Sequence, residues 1–452
     1  MSLLPRNGLC RDGSAVCGAI HMRVLVLGGY GLIGLPAVRR LVEAGHRVTG
    51  LGRSVRSARI SHPDVTWIER DISRLTDPAA WLPVLSGIEA VVNCSGALQD
   101  SGRDDLQALQ SDAMKALFEA CQVASVRRVV QVSAAGVSQQ AATPFYRTKA
   151  EADAALAASD LDWIVLRPGL VIAPAAYGGT ALIRGLASFP FMLPLVGGGQ
   201  PLQTVGVDDV ADAILAAVEG RVASRAVYDL VEERPHSLQE VVLAFRSWLG
   251  HPAASVVRAP NWIGRFLCRI GDALSWLGWR PPLRTTALLQ LEAGVAGDPS
   301  AWFGERGRVL SSLQETLRRH PATVQERWFG RLWLMKPVVM AALSLFWLAS
   351  GLIGLVRSEA ASAILTGRGI GEGIATLAVI GGSLLDMALG AMLLLRPAYR
   401  AAALGMIATT LAYLAAGTAL APELWLDPLG ALVKTLPGLV LALVALAIAD
   451  ER

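Results

Sequence analysis

A chain of 452 residues is long enough for two or three domains, and a formal charge of only +4 with scattered arginines argues against nucleic acid as a partner. Its composition is 53% hydrophobic and 17% charged, with a mean hydropathy of +0.45. That average conceals a split. Residues 22–330 carry an ordinary share of Arg, Asp and Glu, whereas 337–449 carry almost none, so a soluble part precedes a membrane part. Five cysteines (Cys10, Cys17, Cys94, Cys121 and Cys268) form no CxxC pair and no His-linked zinc spacing, so no metal site is expected and reduced, buried thiols are the simpler reading. Residues 1–21 lack a sustained apolar core and read as a disordered extension without a signal-peptide pattern.

The stretch "MRVLVLGGYGLIGLPAVRRLVEAGHRVTGLGRS" opens with an apolar strand ending at Leu27 and passes through "GGYGLIG", Gly28, Gly29, Tyr30, Gly31, Leu32, Ile33 and Gly34. It continues as an amphipathic helix. Gly28 suits a tight turn, Gly31 a close approach of backbone to a pyrophosphate, and Gly34 close packing of helix on strand. The next strand ends in Gly52-Arg53-Ser54 and offers no acid to a ribose hydroxyl. Arg53, with Arg56 nearby, suits a 2′-phosphate, which favours NADP(H) over NAD(H); the alternative is a solvated surface arginine. Strands follow in "VTWIERDI", "IEAVVNCSGAL", "RRVVQVSAAGV" and "LDWIVLRPGLVIAP", alternating with helices as in an open, doubly wound parallel sheet.

"GGYGLIG", "VVNCSGA", "VSAAGV", "WIVLRPGLVIAP" and "GGGQPLQTVGVDDVADAI" together resemble the short-chain dehydrogenase/reductase superfamily in its extended and atypical branches, over residues 22–235. The resemblance implies a Rossmann-type α/β domain over 22–250. It places Asp71 near the adenine and Cys94, Ser95 and Gly96 near the cofactor ribose. Arg167, Pro168 and Gly169 would lie beside the nicotinamide, and Asp208 and Asp209 in the substrate-side region. Asp208 and Asp209 also suit a helix N-terminus.

Active relatives use a Tyr with a Lys four residues later, on one face of a helix. In "TPFYRTKAEAD" four residues back from Lys149 is Phe145, and Tyr146 is three back. In the family register Lys149 reaches the ribose and the acid is absent; Tyr146 serves only if the helix start is rotated or bulged. Ser133 closes its strand, but Ala134 and Ala135 occupy the positions of the usual assisting hydroxyl. The candidate catalytic set is therefore Lys149, Tyr146 and Ser133, with chemistry in doubt. The pattern resembles the atypical branch that includes an NADPH-holding accessory subunit of respiratory complex I.

Residues 251–330, rich in Arg, Pro and Trp, read as a helical connector. In "WIGRFLCRIGDALSWLGW" the apolar face is interrupted by Arg265, Arg269 and Asp272, so this helix lies along a membrane interface or forms a lid on the soluble domain. Beyond residue 331 four apolar segments, Pro337–Val356, Ile374–Leu395, Ala401–Leu420 and Leu429–Ala449, predict a four-helix transmembrane bundle; the alternative is the core of a soluble bundle. Arg327, Arg331, Lys336, Arg396, Arg400 and Arg452 place both termini and the nucleotide domain in the cytoplasm, at a bacterial-type inner membrane. Asp386 and Lys434 fall inside the segments and are expected to pair, unless Lys434 snorkels outward.

"LSLFWLASGLIGL", "SLLDMALGAMLLL" and "WLDPLGALVKTLPGL" resemble the DoxX-like membrane family, whose members are linked to quinone or thiol redox chemistry. Three readings follow. The first is a membrane-tethered NAD(P)H-binding oxidoreductase acting on, or sensing, a lipophilic quinone-like partner. The second is a ketone or sugar-nucleotide reductase or epimerase with an anchor. The third is a non-catalytic, nucleotide-holding assembly subunit.

Overall fold

The computed structural model describes residues 21–100, 104–197, 199–279 and 281–450. Apart from His21, the extension expected at 1–21, with Cys10 and Cys17, lies outside the described residues, as does Arg452. The soluble part begins β1 (Arg23–Leu27), α1 (Gly34–Glu43), β2 (Arg47–Gly52), α2 (Arg56–Ser61), β3 (Thr66–Glu69), α3 (Pro78–Leu85), β4 (Ala90–Asn93) and α4 (Ala113–Val123). It continues through β5 (Arg128–Val132), α5 (Pro144–Ala157), β6 (Trp163–Pro168), β7 (Leu170–Ile172), α6 (Gly178–Ala187), β8 (Met192–Val196), β9 (Thr204–Gly206), α7 (Val207–Val218) and β10 (Ala226–Leu230). Seven strands form one sheet in the order β10-β6-β5-β4-β1-β2-β3, with every pair parallel.

The apolar run of β1 is explained by burial on both sides of that sheet. Val24 and Val26 join the core beneath α1 and α7, while Leu25 and Leu27 join the opposite core with α3, α4 and α5. A strand buried on both faces has no polar alternation. The carboxyl ends of β1, β4, β5 and β6 therefore converge on one edge, where loops are free to carry a site.

A smaller unit follows, built on α8 (Leu238–Trp248) and β11 (Ser255–Ala259). β11 pairs in parallel with β8, so the connector is not purely helical. Phe245 and Leu193, both fully buried, centre its core with Leu313. The remaining connector helices are α9 (Asn261–Trp276), α10 (Thr285–Ala293), α11 (Ser300–Arg306) and α12 (Leu313–Arg319). Asp208 and Asp209 open α7 and also latch this connector. Asp209 Oδ2 accepts from the Ser311 amide at 3.2 Å and Asp208 lies 2.9 Å from His320.

The apolar half comprises α13 (Val324–Val356), α14 (Ser358–Thr366), α15 (Glu372–Leu393), α16 (Tyr399–Leu420) and α17 (Thr435–Ala447). Among the described residues three helices, α13, α15 and α16, are long and apolar enough to cross a membrane. The expected fourth span is shorter: α17 has 13 residues, about 20 Å of helix against about 30 Å of hydrocarbon. Its first residues are spent in turns, where Asp427 caps the Leu429 amide and Gly430 takes φ 68°. α13 starts earlier than its apolar run, at a capping box in which Thr323 and Glu326 exchange hydrogen bonds. Its 33 residues, about 50 Å, run unbroken from soluble part to membrane part, with Trp333 packed on Gly185 of α6.

The bundle interior gathers Leu343, Trp347, Leu393 and Met406, and Leu345, Phe346, Leu352 and Leu377 project outward uncovered. Apolar side chains on both faces suit lipid on the outside and argue against the soluble-bundle alternative.

The expected Asp386–Lys434 pair is not formed. Asp386 is buried among three helices, accepting from the Tyr413 hydroxyl at 3.0 Å and the Ser350 hydroxyl at 3.3 Å, whereas Lys434 is exposed in the turn before α17. Two neutral donors satisfy this carboxyl without bringing a second charge into the bundle. Asp386→Ala is therefore expected to destabilise the bundle by about 1–3 kcal/mol, the cost of leaving the Ser350 and Tyr413 hydroxyls without their acceptor. Lys434→Gln should leave the melting temperature in detergent unchanged. Equal losses in the two variants would restore the charge pair.

Candidate cofactor site

The turn after β1 is built by contacts only glycine permits. Gly28 takes φ 65°, and a Cβ there would stand 3.0 Å from the Cys94 carbonyl oxygen. At Gly34 a Cβ would overlap the Gly28 carbonyl oxygen. The Gly31 amide donates to that same oxygen at 2.7 Å, and Gly28 donates to Leu51 O at 2.9 Å. Gly29 backs on Gly50 and Trp67, the Tyr30 ring covers Gly52, and Leu32 and Ile33 pack on the core under α1. The turn runs directly into the first turn of α1, the place where the glycine pattern leads one to expect a pyrophosphate.

Arg53 leaves the end of β2 and pairs with Asp104 at 2.6 Å. It lines a 410 Å³ cavity with Glu69, Arg70, Asp71, Arg74 and Leu75. Asp71 caps the short turn after β3, accepting from the Ser73 amide at 3.2 Å and its hydroxyl at 2.8 Å. At the end of β4 Asn93 holds the next turn, accepting from the Ser95 amide at 2.9 Å while donating to Gln131 at 2.8 Å. Cys94 keeps some exposed surface, yet the enclosure of its thiol pushes it up to about 12, against a smaller opposing pull from Lys149. It is an inert thiol at neutral pH.

Lys149 is the centre of the second half of the site. Its ammonium donates to Val132 O at 3.1 Å and stands 3.7 Å from where a Cβ on Gly96 would lie. Burial pushes this lysine down, while Asp153 and, less strongly, Cys94 pull it up. The ring beside the ammonium is Phe145, 5.7 Å to its centroid. Tyr146 is buried on another side of α5, its hydroxyl toward Gly136, and burial pushes its pKa up. A tyrosine activated as an acid by a neighbouring lysine would be shifted the other way.

Asp153 was not singled out in the sequence, although it stands four residues after Lys149, the spacing that shares a helix face. It accepts from the Ser133 hydroxyl at 2.7 Å and pairs with Arg167 at 3.3 Å. Ser133 thereby spends its hydroxyl on a buried carboxylate, and Arg167 at the end of β6 is drawn to the same oxygen. Pro168 O accepts from the Ala135 amide at 2.9 Å, which ties the β6 end to the loop after β5. Among the described residues no cluster of metal-ligating side chains occurs.

Residues 28–221 match the NAD(P)H-binding family, and residues 344–443 match the DoxX-like family. The chain is 29% identical over 304 residues to a 3-diazoavenalumate denitrifying reductase of Streptomyces, covering 58% of this chain and 96% of that one. It is 26% identical over 266 residues to the photosystem II assembly factor Ycf39 of Synechocystis, covering 56% and 76%. The Bordetella bronchiseptica enzyme WbmH in complex with NAD+ shares the fold with TM-score 0.51 at 19% identity, covering 69% of this chain and 99% of that one. Residues 28–221 thus match an NAD(P)H-binding domain, on a Rossmann-type fold shared with an NAD-bound structure, and residues 344–443 match a DoxX-like domain.

Proposed function

We propose that the protein holds a reduced nicotinamide dinucleotide, NADP(H) in preference to NAD(H), at the membrane surface and serves its reduction of a lipid-soluble, quinone-like acceptor. The observation that carries this reading is the place of Phe145. A ring that cannot transfer a proton lies beside the Lys149 ammonium, and the only tyrosine of the motif is buried elsewhere. When bound, the dinucleotide supplies a hydride. The residues that would hold it are the 28–34 turn for pyrophosphate, Asp71 for the adenine side, Cys94-Ser95-Gly96 and Lys149 for ribose, and Arg167-Pro168 beside the nicotinamide. Arg53, with Arg70 and Arg74 around the same cavity, supports a 2′-phosphate that competes with Asp104 for the guanidinium. An acceptor whose reduced anion is delocalised needs no positioned acid in the transition state and takes its proton from water, so the missing Tyr is no obstacle. A simple ketone gains no such relief.

The apolar half supports a lipophilic partner, and the basic flanks of α13 and of the α15–α16 turn support a cytoplasmic nucleotide domain with both termini on that side. The rival is a nucleotide-holding assembly subunit, favoured by the assembly-factor relative together with the absent acid. Titrating the full-length chain in detergent with NADPH and NADH, read by nicotinamide fluorescence, tests the cofactor. Steady-state NADPH oxidation with a short-chain ubiquinone analogue tests the reaction. Tyr146→Phe should leave both unchanged, and Phe145→Tyr should raise ketone turnover from baseline by placing a phenol beside Lys149. Loss of turnover in Tyr146→Phe would identify Tyr146 as the acid; tight NADPH binding without any turnover would leave the assembly reading.

A further inference from the structure

α9 is packed inside out for a helix of a soluble protein. Its inward face is small: Gly264 lies against Val196 of β8, Gly271 against the Leu283 carbonyl, and Cys268 and Ser275 are buried. Its outward face is large and apolar, with Trp262 and Trp276 68% and 81% exposed and Phe266 and Ile270 uncovered between them. Arg265 and Arg269 are exposed on the same helix. Exposed aromatic and aliphatic side chains interleaved with arginines are the signature of a helix lying in a lipid headgroup layer.

A second set of contacts sets its height. Just beyond α9, Trp279 donates to Leu394 O at 2.7 Å, and the Arg396 amide donates to Leu277 O at 3.0 Å. The Trp279 ring is flanked by Lys336 at 5.4 Å and Arg396 at 5.5 Å, and it packs edge-on against Tyr399. These groups mark the start of the apolar run of α13, the end of α15 and the start of α16, so the helix is tied to the level where the spanning segments leave the bilayer.

We propose that the outward face of α9 is seated in the headgroup layer of that leaflet and that Arg265 and Arg269 select anionic phospholipid there. The seat also reaches the cofactor site. Asp272 of α9 accepts from Gln99 at 3.1 Å and Arg284 donates to Asp100 O at 2.9 Å, so the segment following Gly96 rests on a lipid-bound helix. The inference needs the spanning helices but not the redox reaction.

Full-length protein carrying benzoylphenylalanine in place of Phe266 or Ile270 is reconstituted in nanodiscs of phosphatidylcholine with phosphatidylglycerol and irradiated. The same substitution at Leu352 reports the hydrocarbon, and at Ile60, on α2, it reports water. Lipid adducts at 266 and 270 should match those at 352 and exceed those at 60 several-fold, enriched in phosphatidylglycerol over its share of the bilayer. Arg265→Gln with Arg269→Gln should return that share to the bulk value. Adducts at 266 no more frequent than at 60 overturn the seat, as do protein–protein adducts marking a second copy. An unchanged phosphatidylglycerol share in the arginine variant overturns the anionic preference. Failure at Leu352 would refute the membrane reading itself.

Discussion

Gly34→Ala is expected to raise the Kd for NADPH by about 100-fold or more, equivalent to about 2.7 kcal/mol, while the membrane half remains folded. The added Cβ would overlap the Gly28 carbonyl oxygen and stand 3.0 Å from Gly29 Cα. Those are backbone atoms of a turn whose own Gly28 sits at φ 65°, so no side chain can swing aside. The turn must open, at the about 1–3 kcal/mol typical of overpacking, and the amides opening α1 lose their aim at the pyrophosphate. Gly304→Ala is the matched control. It also lies in a helix, but its Cβ would meet open space, so binding should be that of the wild type and the melting temperature should not fall. Wild-type NADPH affinity in Gly34→Ala would show that the dinucleotide does not use this turn.

The same crowding made the first half of the fold legible in sequence. A glycine that must take a positive φ, followed six residues later by one that must touch the first, leaves a spacing that few other structures need. The strands of the main sheet were legible for a related reason, since burial on both faces leaves an uninterrupted apolar run. β11 left no comparable mark. It joins β8 from some sixty positions away, in a small sheet where most of its own side chains keep exposed surface. Asp153 was hidden differently: its Lys149-to-Asp153 spacing was in plain view, but whether an acid on a helix faces the site or the solvent is decided by the neighbours of that face.

In the membrane half, hydropathy marked where the chain is apolar and not where a helix begins. The start of α13 was written in polar residues, the Thr-x-x-Glu box at Thr323–Glu326, thirteen residues before the last charge yields to the apolar run at Pro337. The end of the chain shows the converse error. Leu429–Ala449 is apolar save Lys434 and Thr435, and Asp427 lies just before it, yet Pro428 and Gly430 hold its first turn open, and only Thr435–Ala447 is helical. Asp386 and Lys434 were paired on charge alone. Partner choice in a bundle depends on which helices touch, and α15 meets α13 and α16 at that level, where Ser350 and Tyr413 stand.

Asp153→Ala is expected to destabilise the soluble domain by about 3 kcal/mol, the lower end of the about 3–5 kcal/mol for breaking a buried pair, because Arg167 keeps partial access to water. The loss has three parts. The Ser133 hydroxyl and the Arg167 guanidinium lose their acceptor, and the Lys149 ammonium loses the carboxylate that offsets its burial. With that offset gone Lys149 is neutralised more readily, so NADPH binding should weaken beyond what the stability loss alone produces. Asp153→Asn, which keeps the shape and an acceptor for Ser133, should lose less stability and so isolates the charge. It also has a distinct pH signature. Burial holds the Asp153 carboxyl above its ordinary value of 3.8, although Ser133, Arg167 and Lys149 each pull it down. The folded chain therefore keeps a proton that the unfolded chain has released, and this group subtracts stability as pH rises from about 4 through the raised pKa. Below that window both states are protonated and above it both are ionised, so the change with pH is confined to it and the lost stability persists above it. The melting temperature of the wild type relative to Asp153→Asn should fall across that interval and then level off. A difference that stays constant from pH 4 to pH 7 would mean that Asp153 titrates alike in the two states, and that the carboxylate beneath Lys149 is not buried as the fold places it.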